Sequence, residues 1–182
     1  MNTSSADDSK QKQFMELYTP CKQPFLKYCR GITSTIDDAK DLAGETIVIV
    51  FQNMERLRKR DSFKAYLFGV ARRLQLNQYR RSKFRGKYNE EAANEIKSSE
   101  QPPDLNPDVG LLYEFLDRLP VKKKEAFLLF ELSGFSLKEI QQLQGGTLAA
   151  VKSRLNKARV QLRFWLNDDI GPLENTWKED KA

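Results

Sequence analysis

The stretch from residue 56 to residue 87 holds the side chains best suited to binding a nucleic acid. It contains twelve lysines and arginines, at positions 56, 58, 59, 60, 64, 72, 73, 80, 81, 83, 85 and 87, and a single acid, Asp61. Five aromatic residues are interleaved with them: Phe63, Tyr66, Phe68, Tyr79 and Phe84. Cations neutralise phosphates, and rings provide flat faces on which unpaired bases stack. The alternative is a solvated basic helix whose rings belong to the core, which we favour for Phe68 alone.

An amphipathic helix is predicted to position these groups. Read at helical spacing, Phe63–Lys87 places its apolar residues mostly on one stripe and its polar residues elsewhere. The stripe consists of Leu67, Val70, Ala71, Leu74 and Tyr79, and the other positions include Arg72, Arg73, Gln75, Asn77, Gln78 and Arg80. The preceding polar segment, Leu57–Ser62, is predicted to be a loop.

The composition limits the classes of function. The 182-residue chain has a net charge of +6 and a pI near 9.3, which favours a polyanionic partner, although basic membrane-surface proteins share such values. It has no histidine, so the commonest general base is missing, and we predict neither a metal site nor a cofactor. Cys21 and Cys29 are predicted to be reduced thiols of a cytoplasmic protein without a membrane span. Catalysis by carboxylates alone is the weakest hypothesis.

The N-terminal part is predicted to be helical after a disordered tail at residues 1–12. Apolar residues recur at threes and fours from Phe14 to Arg30, and Pro20 and Pro24 predict a break or kink in that helix. Asp37 or Asp38 is the candidate cap of the next helix.

The segment from Asp38 to Glu55 carries conflicting signals. The run IVIVF at 47–51 is β-branched and suits a buried strand. Its flanks are typical of helices, however, and no partner strand is evident. Leu42, Ile49, Val50 and Met54 also fit a helical stripe, so we predict a helix.

Residues 89–106 are predicted to be a flexible acidic linker. Together with the start of the next helix, this segment contains one lysine, three prolines and six acids, at positions 90, 91, 95, 100, 104 and 108. Such a segment is a solvated tether, and its charge could also shield the basic stretch transiently.

A helix-turn-helix is predicted beyond the linker. Asn106-Pro107 and Pro120 each start a helix, and Ser136 with Glu139 has capping-box spacing before a short third one. Gly145-Gly146 then turns the chain, and Thr147 is placed to cap the last helix. The polar face of that helix carries Lys152, Ser153, Asn156, Lys157, Arg159 and Arg163. In a helix-turn-helix, such a helix reads base edges in the major groove. The alternative is a helical hairpin whose basic face is merely solvated, and we favour the DNA-reading interpretation.

Together these segments resemble the extracytoplasmic-function (ECF) sigma factors of the sigma-70 superfamily, small initiation factors of bacterial RNA polymerase. DAKDLAGETIVIVF resembles the region that binds the polymerase, FKAYLFGVARRLQLNQYRR the promoter-melting segment, and SLKEIQQLQGGTLAAVKSRLNKARVQL the reader of the minus-35 element. The resemblance covers about residues 14–166. It implies an all-α fold with a region 2-like bundle at 13–88, a region 4-like helix-turn-helix at 107–167 and a tail at 168–182.

The resemblance also implies partners. Core RNA polymerase would be bound at the beta-prime clamp helices and the beta flap, and promoter DNA would be bound both as duplex and as single strands. An anti-sigma factor or another DNA-targeting protein is a further expected partner.

The resemblance assigns three sets of site residues. Core polymerase would be bound by Asp41, Leu42, Glu45 and Ile49. The minus-10 and melting site would consist of Arg58, Lys59, Arg60, Ser62, Phe63, Tyr66, Arg73, Asn77, Arg80 and Arg81. The minus-35 reader would consist of Thr147, Lys152, Ser153, Arg154, Asn156 and Lys157. Among these, Arg154 is better placed for backbone contact or packing, as is Arg159.

Several positions depart from the usual pattern of that family. Gly44 stands where glutamine is usual, Tyr66 where tryptophan is usual, Arg73 where asparagine is usual and Asn77 where aspartate is usual. Arginine only donates hydrogen bonds, whereas asparagine donates and accepts. Gly145-Gly146 also predicts a more flexible entry into the last helix. We therefore hypothesise weakened promoter-element reading, with placement depending partly on another DNA-bound partner.

The function predicted from these observations is that of a sigma factor, which is not itself an enzyme. The main rival is a stand-alone helix-turn-helix regulator that does not bind core polymerase, and a further rival is an RNA-binding protein.

Overall fold

The protein is all-α wherever its structure is described. The structure, a computed structural model, describes residues 3–57, 62–86 and 107–170. These residues form no strand, which confirms the predicted fold class. Their α-helices are α1 (Thr3–Tyr18), α2 (Lys22–Ile32), α3 (Ile36–Asn53), α4 (Phe63–Gly86), α5 (Pro107–Arg118), α6 (Val121–Phe127), α7 (Leu137–Gln144) and α8 (Leu148–Ile170). The chain divides into two compact units, Met1–Pro102 and Pro103–Ala182. The predicted linker lies outside the described residues.

A break at Pro20 separates the first two helices, as predicted. A 3-10 turn spans Thr19–Cys21 between the end of α1 and the start of α2. Proline cannot donate the backbone hydrogen bond that a helix interior requires, but Pro20 lies in the first turn of this short segment, where no donor is needed. Pro24 lies likewise in the first turn of α2 and does not interrupt it.

Helix α1 begins earlier than expected. The prediction of a disordered tail over residues 1–12 is wrong from residue 3 onward, because the helix starts at Thr3. Lys10 Nζ lies 3.0 Å from Glu55 Oε1 and 5.2 Å from the centre of the Phe51 ring. These contacts, together with the burial of Phe14 one turn later, attach α1 to the end of α3.

An aromatic core in the first unit packs against α4. Phe68 is fully buried, and its ring centre lies 5.6 Å from that of Phe25 and 5.0 Å from that of Tyr28. Phe14 meets Phe63 edge-to-face at 5.7 Å. Such aromatic pairs contribute stability beyond the area they bury. The assignment of Phe68 to the core is confirmed, and these contacts determine which side of α4 faces inward.

The ambiguous segment at 47–51 is helical, as predicted. Val50 is fully buried, whereas Val48 is 53% exposed, so α3 has a buried and a solvated side. Its cap is neither Asp37 nor Asp38 but Thr35, whose Oγ1 accepts the Asp38 N–H at 3.0 Å. Thr35 has the extended backbone that an N-cap requires. The two acids occupy the first turn instead, where they interact favourably with the helix dipole.

Both cysteines are free thiols, as predicted. Cys29 is fully buried, and desolvation raises its pKa to about 12, so it stays protonated and behaves as a small apolar core residue. Burial also raises the pKa of Cys21, with a smaller opposing effect from Lys64.

The core of the second unit lies between α5, α6, α7 and α8, and α5 contributes the buried Phe115 and Leu116. A π-helical segment, Leu128–Leu132, continues α6, and it contributes Leu128 and Leu129 to this core. The predicted capping box of α7 is confirmed, because the Glu139 N–H donates to Ser136 Oγ and the Ser136 N–H donates to Glu139 Oε2. On α8, the buried residues are Val151, Leu155, Ala158 and Leu162.

Phe127→Ala is expected to lower the free energy of unfolding of the second unit by about 3–5 kcal/mol, because large-to-small changes in a core leave a cavity. The Phe127 ring is 2% exposed. The ring centre of Trp165 lies 6.1 Å from that of Phe115 in this unit, and the sequence has no tryptophan before it, so tryptophan fluorescence during urea titration reports the unfolding of this unit.

Phe164→Ala is the matched control, since this ring of α8 is 62% exposed. Its effect is expected to stay within about 0.5 kcal/mol. Equal destabilisation by the two substitutions would contradict the packing described above.

Candidate nucleic-acid interface

Helix α4 presents a polar face beside its buried stripe. The stripe consists of Leu67, Phe68, Val70 and Ala71. Arg73, Asn77, Arg80 and Arg81 are exposed, and Tyr66 is half-buried. At 100° per residue, positions 66, 73, 77 and 80 lie within about 60° of one another around the helix axis. Arg81 lies at the edge of the same side, about 100° around the axis from Arg80. One side of α4 therefore carries an aromatic ring, an amide and three cations; we call these five residues the α4 face.

Other members of the predicted melting site are placed differently. Phe63 is 2% exposed and packs against Phe14, so the prediction that it contacts DNA is wrong: its ring is covered by protein. Tyr79, which was assigned to the apolar stripe, is instead 56% exposed. Ser62 is half-buried just before α4. The predictions for Arg58, Lys59 and Arg60 fall outside the described residues.

The N-terminal half of α8 carries the predicted reader residues on its exposed side. Thr147 caps the helix as predicted, because its Oγ1 accepts the Ala150 N–H at 3.1 Å. Four exposed residues follow, which we call the α8 face: Lys152, Ser153, Asn156 and Lys157. Two cations, a hydroxyl and an amide can bind phosphates and read base edges.

Two arginines of α8 are engaged by groups of their own unit. Arg159 Nη2 lies 2.7 Å from Glu131 Oε1, and its guanidinium lies 5.2 Å from the centre of the Phe130 ring. Arg154 donates to Gln144 Oε1 and to the Gly145 carbonyl. These contacts agree with packing roles for both arginines.

The exposed side of α3 combines two acids with an apolar side chain. Asp41 and Glu45 lie one turn apart and are exposed, and Val48 lies next to them on the same side. Ile49 is half-buried. Leu42 is fully buried, so its predicted contact with polymerase is wrong and it belongs to the core. Val48 is absent from the residues predicted for this surface, although its position three residues after Glu45 places it on the same side of α3.

Gly44 leaves a gap in this part of α3. It is exposed, and a Cβ built there would meet no atom within 4 Å. Its φ is not positive, so neither space nor backbone conformation requires glycine. We call Asp41, Gly44, Glu45 and Val48 the α3 patch.

The described ranges contain neither a cluster of metal-ligating side chains nor a membrane-spanning helix. Nowhere within 3–57, 62–86 or 107–170 do three or more acids and cysteines cluster as they would around a metal ion. Of the helices the structure describes, none has the length and apolar character to cross a bilayer.

Two protein families match the chain over the segments that carry these faces. Residues 17–85 match the family described as Sigma-70 region 2, and residues 110–162 match the family described as Sigma-70, region 4. The first match contains the α3 patch and the α4 face, and the second contains the α8 face.

Curated relatives agree with these matches. The chain is 29% identical over 149 residues to the ECF RNA polymerase sigma factor EcfG of Rhodopseudomonas palustris, covering 78% of this chain and 81% of that protein. It is 32% identical over 137 residues to the ECF RNA polymerase sigma factor SigE of Mycolicibacterium smegmatis, covering 71% of this chain and 52% of that protein.

Two solved structures have the same fold. The sigma factor RpoE, in complex with the anti-sigma factor NepR from Bartonella quintana, aligns with a TM-score of 0.69 at 25% identity over 89% of this chain and 98% of that one. CnrH, in complex with the cytosolic domain of CnrY, aligns with a TM-score of 0.65 at 19% identity over 91% of this chain and 95% of that one.

Proposed function

The chain belongs to the sigma-70 family and is an RNA polymerase sigma factor of the ECF type, and from this premise we propose which of its surfaces meet polymerase and DNA. It binds core RNA polymerase and directs it to promoter DNA, and it is an initiation factor rather than a catalyst. The observation that carries the proposal is the pairing of the exposed cationic α4 and α8 faces with the segments matching regions 2 and 4.

The α4 face is assigned to the separated DNA strand. Extruding a base from the stack costs a few kcal/mol, and a protein must offset that cost. Stacking on Tyr66 and hydrogen bonds from Arg73 and Asn77 supply contacts of the required type. Arg80 and Arg81, exposed at the far end of the face, bind phosphates. Arg58, Lys59, Arg60 and Ser62, which precede α4 in the sequence, are proposed to bind the same strand on the strength of the family resemblance alone.

The α8 face is assigned to duplex DNA in the major groove. Lys152 and Lys157 bind the backbone, while Ser153 and Asn156 read base edges. Thr147 caps α8 at its N-terminus, which is the end that contacts base edges in a helix-turn-helix. Because both units bind one DNA molecule, engagement of one raises the effective concentration of the other.

The cellular compartment and a further protein partner are inferred from the family assignment. We assign the activity to the cytoplasm, where core polymerase acts. An anti-sigma protein is a further proposed partner, supported by the two solved relatives, whose structures are complexes with such a protein or with the cytosolic domain of CnrY.

Gly44→Gln is expected to tighten binding to core polymerase several-fold, because the new amide would fill the gap in the α3 patch with a donor and an acceptor, worth about 1 kcal/mol. Gly44→Ala is the matched control: it should stabilise α3 by about 0.5–1 kcal/mol without adding a polar contact. Fluorescence anisotropy with labelled protein measures both affinities. Identical affinities for the Gln and Ala variants would argue against a polar contact at this position.

Charge reversal in the α3 patch is expected to abolish co-elution with core polymerase. Asp41→Lys and Glu45→Lys each replace an exposed acid with a cation, whereas Glu16→Lys makes the same change on α1, away from the patch. If Glu16→Lys and Glu45→Lys behave alike, the patch is not the docking surface. If the wild-type chain itself fails to co-elute, the stand-alone regulator is the better explanation.

Lys157→Ala is expected to weaken binding to every duplex and to reduce the slope of log K against log salt by about 1, because one phosphate contact is lost. Asn156→Ala should instead relax base preference, by about 1–3 kcal/mol of discrimination. Lys12→Ala, which removes an exposed cation of α1, is the control for net charge. Equal losses on all sequences for Asn156→Ala would remove it from the base-contacting residues.

Arg73 and Asn77 support a second proposal, that promoter reading is weak and placement depends partly on another DNA-bound protein. With core polymerase alone, scrambling the minus-10 element should then lower transcription only a few-fold, since charge-based binding by the α4 face persists on any sequence. Strict dependence of run-off transcription on that element would refute this.

A further inference from the structure

Three side chains of the second unit form a continuous chain of hydrogen bonds next to the turn before α8. They come from different helices: Glu125 from α6, Gln144 from the end of α7 and Arg154 from α8. Gln144 Nε2 donates to Glu125 Oε2 at 2.8 Å, and Arg154 Nη1 donates to Gln144 Oε1. Arg154 Nη2 also donates to the carbonyl oxygen of Gly145 at 3.3 Å. We call Glu125, Gln144 and Arg154 the relay.

The relay has a single polarity. Glu125 is 6% exposed, and a buried carboxylate needs hydrogen-bond donors. The amide of Gln144 donates toward this carboxylate and toward the Lys122 carbonyl, and it accepts from the guanidinium of Arg154. Turning the amide over would oppose oxygen to oxygen on one side and donor to donor on the other. An amide at position 144 therefore joins an anion to a cation in one orientation only.

The relay acts on a turn that only glycine can form. Gly145 and Gly146 have φ values of +74° and +88°, and a Cβ at Gly146 would lie 3.1 Å from Arg154 Nη2. The Gly146 carbonyl accepts from Gln141 Nε2 at 3.0 Å, as the Gly145 carbonyl does from Arg154. Side chains from both flanking helices thus donate hydrogen bonds to the two glycine carbonyls of the turn.

We propose that Gln144 and Arg154 are positioning residues for promoter recognition, which orient the N-terminus of α8 on the DNA and so determine base discrimination without touching the DNA themselves. This inference rests on the proposed role of the α8 face. Thr147 follows the turn directly, and Lys152 and Ser153 come within the next two turns of helix, so any tilt at the turn displaces them. Base readout needs hydrogen-bond distances, whereas attraction to phosphates tolerates displacement. Loss of the relay should therefore reduce discrimination more than affinity.

Gln144→Leu and Arg154→Met test the proposal, because each removes the hydrogen bonds while largely keeping side-chain bulk. Gln142→Leu makes the same change at an exposed position of α7 and is the matched control. The probes are a duplex that the wild-type chain with core polymerase enriches from a randomised library, and a scrambled duplex of the same composition. Both relay variants are expected to lose about tenfold in the ratio of the two affinities, with an unchanged salt slope, while the control matches the wild type.

A direct contact between Arg154 and DNA gives a different pattern. In that case Arg154→Met would lower the salt slope by about 1 and Gln144→Leu would leave discrimination intact, and either result overturns the proposal. The double variant provides a second criterion. If the two residues act through one relay, it should lose no more discrimination than either single variant, whereas additive losses would show independent roles.

Amide hydrogen exchange of the free chain gives a readout that does not require DNA. Residues 147–151 should exchange faster in both relay variants than in the wild type, while the core segment 127–129 is unchanged. If the wild type enriches no sequence, the proposed function fails but the exchange result still tests the anchoring of the turn. If it enriches one, and the variants discriminate and exchange as the wild type does, the relay proposal alone fails.

Discussion

One side of α4 is committed to the aromatic core, and this constraint determines which side chains the protein can present to DNA. Phe68 meets Phe25 and Tyr28, and fully burying side chains of this size contributes about 1.5–3 kcal/mol each. Rotating the helix to present a different face would expose these rings. Arg73 and Asn77 are thus exposed because the aromatic residues on the other side of α4 pack into the core. A surface that must meet a distorted DNA strand benefits from such rigid support, because its contacts need not be ordered at the moment of binding.

In the second unit, polar contacts as well as packing fix the orientation of the helix proposed to meet DNA. Apolar burial holds the body of α8 through residues such as Val151 and Leu155, but the hydrophobic effect is non-directional and leaves the exact angle of a helix end weakly determined. Hydrogen bonds from Arg154 and Gln144 are directional, and they act at the turn where a small angular change has the largest effect on the residues that follow. Polar groups retained at such a position favour specificity of conformation over stability.

Local signals were sufficient to predict much of this fold. Proline chemistry predicted the break at Pro20, and side-chain caps predicted the starts of α7 and α8 at Ser136 and Thr147, because each depends on residues within one helical turn. The helical state of residues 47–51 also followed from its neighbours. Helical periodicity predicted that α3 and α4 each have a buried side.

The errors concern contacts between distant segments. Phe63 and Leu42 lie at the margins of their apolar stripes, and only the packing of α1 and α2 decides that they are covered. Periodicity gives the direction of a stripe but not its width, which depends on the partner helices. The relay could not be predicted either, because Glu125 and Gln144 are 19 residues apart and local sequence signals do not reach across that distance.

If the α4 face binds DNA as proposed, the departures in this chain from the usual family pattern shift the balance from reading the sequence of DNA toward binding its phosphates. Arg73 adds a cation to the α4 face, and a cation increases affinity for phosphates whatever the sequence. Asn77 supplies an amide where the resembled family usually carries an acid, which removes a negative charge from the same surface. Both changes strengthen attraction that is independent of sequence. The α8 face, in contrast, starts from a turn held by several hydrogen bonds, which suits it to reading base edges. Discrimination among promoters would then reside mainly in the second unit, while the first supplies affinity once the duplex has been located.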